Sequence, residues 1–143
     1  LLAMLSDELQ QLAGADPAHH DTTLLIHPHA LLDFAAFNQF QDVVETAVRN
    51  LDLEGVLQVA SFHPRYQFAN TEPDDITNAT NRSPYPTLHL LREATIEHAL
   101  ATFPEPETIY EANLRTLQHL GAAGWAALQA SCLADAGLAG PEP

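Results

Sequence analysis

The chain contains no lysine, and its five basic residues, all arginine, face nineteen carboxylates, for a formal charge of −14 over 143 residues. Recognition of nucleic acid or of anionic lipid rests on clustered Lys and Arg. DNA, RNA and membrane surfaces are therefore excluded as partners, and acidity of this degree serves solubility first. Cysteine is almost as scarce. Cys132 stands alone, so no disulfide can form within the chain, and a reducing, cytoplasmic setting fits. In its Ala-rich helical stretch Cys132 reads as a packing residue. No run approaches the roughly 18 to 20 apolar residues of a membrane span, and there is no signal-peptide pattern. Also missing are HExxH, CxxC, a GxSxG elbow and a Gly-rich phosphate loop. Each absence removes one ready-made class of enzyme.

What is present is the composition of a packed globular domain, 46% apolar and 17% charged, expected to span residues 1–136 with a frayed tail over 137–143. Leu2, Leu5, Leu9 and Leu12 recur at helical spacing from the first residues, with no initiator Met and no capping residue ahead. The sequence therefore reads as starting inside an element. Thr22 to Ile26 is β-branched and aliphatic without alternation, the pattern of a central strand covered on both faces. From Leu31 to Leu51 an apolar stripe through Phe34, Phe37, Phe40, Val44, Val48 and Leu51 marks an amphipathic helix. Val56 to Phe62 follows as a second strand.

Strand, helix, strand describes a parallel pair joined by a crossover, so the expected fold is α/β, with α+β as the alternative: a small mixed sheet with helices packed against it. Two strands are too few for a stable sheet. A third is expected from Tyr66-Gln67-Phe68 folding back after a turn over His63 to Tyr66, and another upstream of residue 1. Residues 69–87 are polar, rich in Asn, Thr and Asp, and read as an ordered loop anchored by Tyr66, Phe68, Ile76 and Tyr85. Pro84 or Pro86 then opens a helix whose inner stripe is Leu88, Leu91, Thr95 and Ala99, ending at Pro104. A further helix begins near Pro106, breaks at Gly121, and gives way to a last one holding Trp125, Leu128 and Cys132.

Both apolar runs end in His-Pro, at His27-Pro28 and His63-Pro64. If the strands run the same way, both histidines emerge at the edge where ligands of open α/β sheets bind. A cluster of His27 or His29, His63 and His89, with Asp74, Asp75 or Glu93 alongside, would suit a divalent metal that activates water for hydrolysis. The plainer reading has these histidines ending strands and bonding loop backbone. His89, read as lying in a helix first turn with Glu93 one turn on, would serve as a general base or as a surface pair. Asp75 is a carboxylate partner or a capping acid in a helix first turn. Asn78, Asn81, Arg82 and Ser83, followed by a helix N-terminus, suit a carboxylate or phosphate. Equally, Arg82 would staple the loop through Asp74 or Asp75.

The segments Thr22–Pro28, Asp33-Phe34, Phe37–Phe40, Gln58–Pro64 and Tyr66–Phe68, and above all Thr77–Glu93 with its Asn-Arg-Ser-Pro-Tyr-Pro run, resemble the DUF1415 proteins, a bacterial family of unknown function. The resemblance covers roughly residues 1–130. It implies an additional N-terminal segment carrying a Cys-Pro-Phe motif and a strand, and it implies no activity. Arg65 and Ala79 depart from it, standing where an acid and an aromatic are expected.

The expectation is thus a small-molecule enzyme of the metal-assisted hydrolase type acting on an anionic substrate. His63, His89, Asp75 and Glu93 would be catalytic, His27, His63 and His89 would hold metal, and Asn78, Asn81, Arg82, Ser83, Tyr85 and Ser61 would bind the ligand. The alternative is a non-catalytic domain that binds an acidic metabolite or a protein partner through Tyr66, Phe68 and Tyr85. Oligomeric state is left open.

Overall fold

A computed structural model describes residues 1–103 and 105–135; the expected stop at Pro104 and the tail over 137–143 lie outside them. The elements in order are α1 (Leu2–Gly14), β1 (Thr22–Ile26), α2 (Phe34–Asn50), β2 (Leu57–Phe62), a short 3-10 helix (Ile76–Asn81), β3 (Thr87–Arg92), α3 (Glu93–Thr102) and α4 (Pro106–Asp135). The three strands form one sheet in the order β1-β3-β2, antiparallel throughout. The fold is α+β.

The expected parallel pair is therefore not formed, because β3 lies between its two members. Residues 87–92 carry two patterns at once. Leu88, Leu91 and Thr95 match a helical stripe, while Leu88 and Leu90 alternate with His89 and Leu91 as a strand requires. Alternation wins because both outer strands need a partner and β3 supplies one to each, with Leu88 and Leu90 fully buried on a single face. The helix expected to open at Pro84 or Pro86 starts instead at Glu93. Tyr66-Gln67-Phe68 adds no strand. Tyr66 O accepts from Arg82 Nε, and Phe68 N donates to Asn78 Oδ1, so these backbone groups serve the loop and not a ladder. The turn before them is as expected, with Tyr66 N donating to His63 O at 3.0 Å.

α1 and α2 cover one face of the sheet. Leu5, Leu9 and Leu12 of α1 and Phe37, Val44, Ala47 and Val48 of α2 meet Leu25, Leu57, Leu88 and Leu90 in one continuous core. Each such large side chain contributes about 1.5–3 kcal/mol on burial. Asp33 begins α2 as its cap, accepting from Ala36 N at 2.9 Å. Arg92 closes the far end of the core. Only 9% exposed, its Nη2 shares two N–H groups among Leu12 O, Ala15 O and His20 O at 2.6, 2.9 and 3.0 Å, a cation set on the carbonyl end of α1.

The other face is open. Leu24 and Ile26 are 56% and 53% exposed, so β1 is an edge strand with one bare face, not the doubly covered central strand its composition suggests. α4 docks on the 3-10 helix, burying Leu117. It bends at Gly121, whose φ of 65° and ψ of 176° break the helix at the expected place.

Candidate functional site

β1 and β2 both run antiparallel to β3, so they point the same way, and Thr87 lies opposite both Ile26 and Phe62. His27 and His63 thus leave the sheet at one edge. His89, two residues into β3, faces the other way. It lies opposite Leu24 and Ala60 on the open face, with its ring 6.4 Å from that of Phe62. His63 instead enters the core against Phe34 and Phe37, at ring distances of 5.3 and 5.0 Å. The sheet separates the two imidazoles, and the site expected of His27, His63 and His89 is not assembled. Among the described residues no group of three or more His, Cys, Asp or Glu is placed to hold a metal ion.

Each histidine has its own chemistry. His63 is fully buried. Its Nε2 bonds Leu31 O at 3.2 Å, and its Nδ1 accepts from Arg65 N at 2.9 Å. A carbonyl demands a donor and an amide demands an acceptor, so the ring is the neutral Nε2–H tautomer. Burial pushes its pKa down, and Arg65 acts the same way against the opposing influence of the Leu31 and Leu32 backbone and Asp33. Leu31 itself is held at φ 56°, a left-handed conformation a leucine rarely adopts. His63 is a structural post joining β2 to the start of α2.

His27 is 6% exposed with Nε2 buried and unpartnered, and burial lowers its pKa. His29 is exposed. On the open face, Thr22 Oγ1 donates to Leu90 O at 2.7 Å, which uses its single proton. His89 Nε2, 2.6 Å from the same hydroxyl, must donate to it. The lone pair of neutral His89 is then on Nδ1, and burial lowers the pKa of this ring too. Glu93 does not stack one helical turn beyond it. Glu93 opens α3, with its N–H on Val56 O.

The polar loop is organised around Asn78. Fully buried, its Oδ1 accepts from Phe68 N and shares the Thr71 hydroxyl proton with Phe68 O, while its Nδ2 donates to Glu72 O. Asp75 caps the 3-10 helix by accepting from Thr77 N and Oγ1, bonds that hold its carboxyl below the usual range. Asn81 Nδ2 donates to Ser61 O, Ser83 Oγ donates to Tyr85 O, and the Tyr85 hydroxyl is buried without a partner. Asn78, Asn81, Ser83 and Asp75 are therefore occupied in shaping the loop, and Ser61 contributes its main-chain carbonyl to it. Cys132, expected in packing, is exposed.

Arg82 is different. It staples the loop, though through carbonyls rather than through Asp74 or Asp75. Nε donates to Tyr66 O at 3.1 Å and Nη2 to Pro73 O at 2.7 Å, and its remaining N–H groups have no partner among the described residues. Arg82 lines a cleft of about 450 Å³ with Arg65, Asp33, Phe34, Pro64, Gln67 and Pro73. The cleft opens just beyond the end of β2 and beside the first turn of α2. Arg65 approaches Asp33 only at 3.8 Å with both side chains largely exposed, a weak pair. Neither Arg65 nor Gln67 is apparent as a site residue from motif spacing. The available signal is scarcity, since Arg65 is one of five cations in the chain.

Comparison with known proteins agrees with the resemblance carried by the loop. A family model described as a protein of unknown function, DUF1415, matches residues 1–127, and the chain belongs to that family. No curated protein and no solved structure matches it.

Proposed function

We propose that the chain binds a small anionic molecule, a carboxylate or a phosphate ester, in the cleft between Arg65 and Arg82. One observation carries the reading: two of the five cations in a chain of charge −14 line the same cleft. Arg82 is preset by two backbone carbonyls, so little side-chain freedom remains to be lost when it grips an oxyanion. The start of α2 adds the positive end of its dipole on the same side. Gln67 Nε2 gives one N–H to Thr71 O at 2.6 Å and keeps a second, and Phe34 and Pro64 give the cleft an apolar wall. Asp33 opposes an anion and favours ligands that approach Arg82 first.

Binding without chemistry is the reading favoured here. The residues expected to be catalytic lie apart: His63 in the core, His89 on the open sheet face, Asp75 at the loop cap and Glu93 at the start of α3. A bacterial, cytoplasmic setting belongs to this proposal, supported by the family resemblance and the single cysteine.

The test is calorimetric titration with inorganic phosphate and with citrate at low salt. Arg65→Gln, which removes an exposed guanidinium and leaves the loop intact, is expected to weaken the tighter ligand about tenfold, equivalent to about 1.4 kcal/mol. Equal binding by wild type and Arg65→Gln, or no binding of either ligand, overturns the proposal.

A further inference from the structure

The outer edge of β2 carries a second surface, away from the arginine cleft. Glu93 N donates to Val56 O at 3.0 Å, and Leu57 lies opposite Arg92, which fixes the parity of the ladder. The main-chain groups of Gln58, Ala60 and Phe62 turn toward β3. Those of Leu57, Val59, Ser61 and His63 turn outward.

The outward groups at the far end are already paired. Ser61 O accepts from Asn81 Nδ2 at 3.2 Å, and His63 N donates to Asn81 O at 3.1 Å. Asn81 occupies the place of one residue of a neighbouring strand. At the near end Leu57 N is taken by Leu53 O. Between them Leu57 O, both main-chain groups of Val59, and Ser61 N have no partner among the described residues.

That free stretch borders a groove of about 340 Å³ between β2 and α2. Three consecutive strand residues, Leu57, Gln58 and Val59, line it. Their side chains alternate in direction, so what they share there is the strand's outer edge. Val44 and Val48 of α2 supply apolar lining, and Glu45, Glu54 and Glu93 stand against Arg49 alone. Arg49 is itself engaged by Glu54 at 3.5 Å. An unpaired ladder beside an apolar groove with an acidic rim matches strand addition, where main-chain bonds give affinity and side-chain pockets give selectivity.

We infer that β2 accepts an extended, basic peptide segment as a further strand, continuing the pairing that Asn81 begins. Charge selects the occupant. A second copy of this chain would bring another acidic rim to the same groove, whereas Lys or Arg at alternate positions would meet Glu45 and Glu93.

The full chain is titrated, by fluorescence anisotropy, with two pools of labelled peptides of about seven residues. One pool alternates Lys with Val, Ile or Thr, and the other has Glu in place of Lys. The lysine pool is expected to bind at least about tenfold more tightly, and the Val59 amide to gain protection from hydrogen exchange. Val59→Pro removes an outward N–H and leaves the bonds to β3 in place, so this variant folds and loses binding. Glu45→Gln with Glu93→Gln, which touches no ladder bond, weakens the lysine pool about tenfold and flattens its salt dependence. Equal binding of the two pools, undiminished binding by a folded Val59→Pro or by the double variant, or protection arising from self-association without peptide overturns the inference.

Discussion

Replacing His63 with alanine separates a structural histidine from a chemical one, and the structure sets the size of the effect. The substitution removes a fully buried ring packed on Phe34 and Phe37, which by analogy with other large-to-small core changes costs about 2–3 kcal/mol. It also strips Leu31 O and Arg65 N of their partners, at about 1–2 kcal/mol together once water reaches part of the site. Against this, Leu31, no longer anchored at φ 56°, can relax and return about 1 kcal/mol. The packing loss wins. The net expectation is about 3 kcal/mol, a large part of the roughly 5–15 kcal/mol that holds a domain folded. His63→Phe keeps the ring and loses only the bonds, so it should cost about 1–2 kcal/mol.

Urea unfolding followed by circular dichroism at pH 7.5 and 5.5 reads both variants. Because burial lowers the His63 pKa in the folded chain, the unfolded chain takes up this proton first as pH falls. The folded-state pKa is below the ordinary 6.5, so His63's contribution is complete above that value and is lost as pH falls below it. His63→Phe should show a shallower loss between the two pH values than wild type. A His63→Ala variant within about 0.5 kcal/mol of wild type, or identical pH slopes for wild type and His63→Phe, refutes the account of His63 as a neutral post.

Arg92→Met leaves three main-chain carbonyls around α1 without their donor, and thermal unfolding should show a loss of about 2–4 kcal/mol. Arg92→Lys should recover only part of it, since all three bonds come from Nη2, which stands one bond farther along its side chain than a lysine Nζ. Asn78→Ala deletes three bonds at the centre of the loop. A stability loss of about 2–3 kcal/mol is expected, with faster hydrogen exchange of the Phe68 amide but not of Leu88 or Leu90.

How much of this was legible in the sequence depends on how many residues a feature spans. α1 and α2 show in local periodicity, because one buried face repeats over several turns, and the two His-Pro strands show as short runs of β-branched and aliphatic residues. Thr87–Arg92 defeats that method. Six residues with leucines at 88, 90 and 91 satisfy both periods, and the choice is made by two distant edges that each lack a partner. The site follows from the same choice. Read as helical, His89 comes close to Glu93 and the other histidines; as a strand residue it turns to the open face, and the imidazole cluster dissolves. The loop was better marked, since its Asn and Thr side chains bond residues close in sequence. Arg82 reads as an anion grip from its Asn-rich surroundings, whereas Arg65, its counterpart across the cleft, is marked in the sequence only as a departure from the family pattern and is found by position.

Of the strands among the described residues, the last in sequence, β3, is the middle one of the sheet. During synthesis neither Thr22–Ile26 nor Leu57–Phe62 can form a rung of this ladder until residues 87–92 have left the ribosome. The sheet then closes over separations of about seventy residues at the widest, from Thr22 to Leu91, a slow, non-local step. A nascent chain halted before that point holds two adhesive ribbons with no template, the state in which chaperone capture or aggregation is decided.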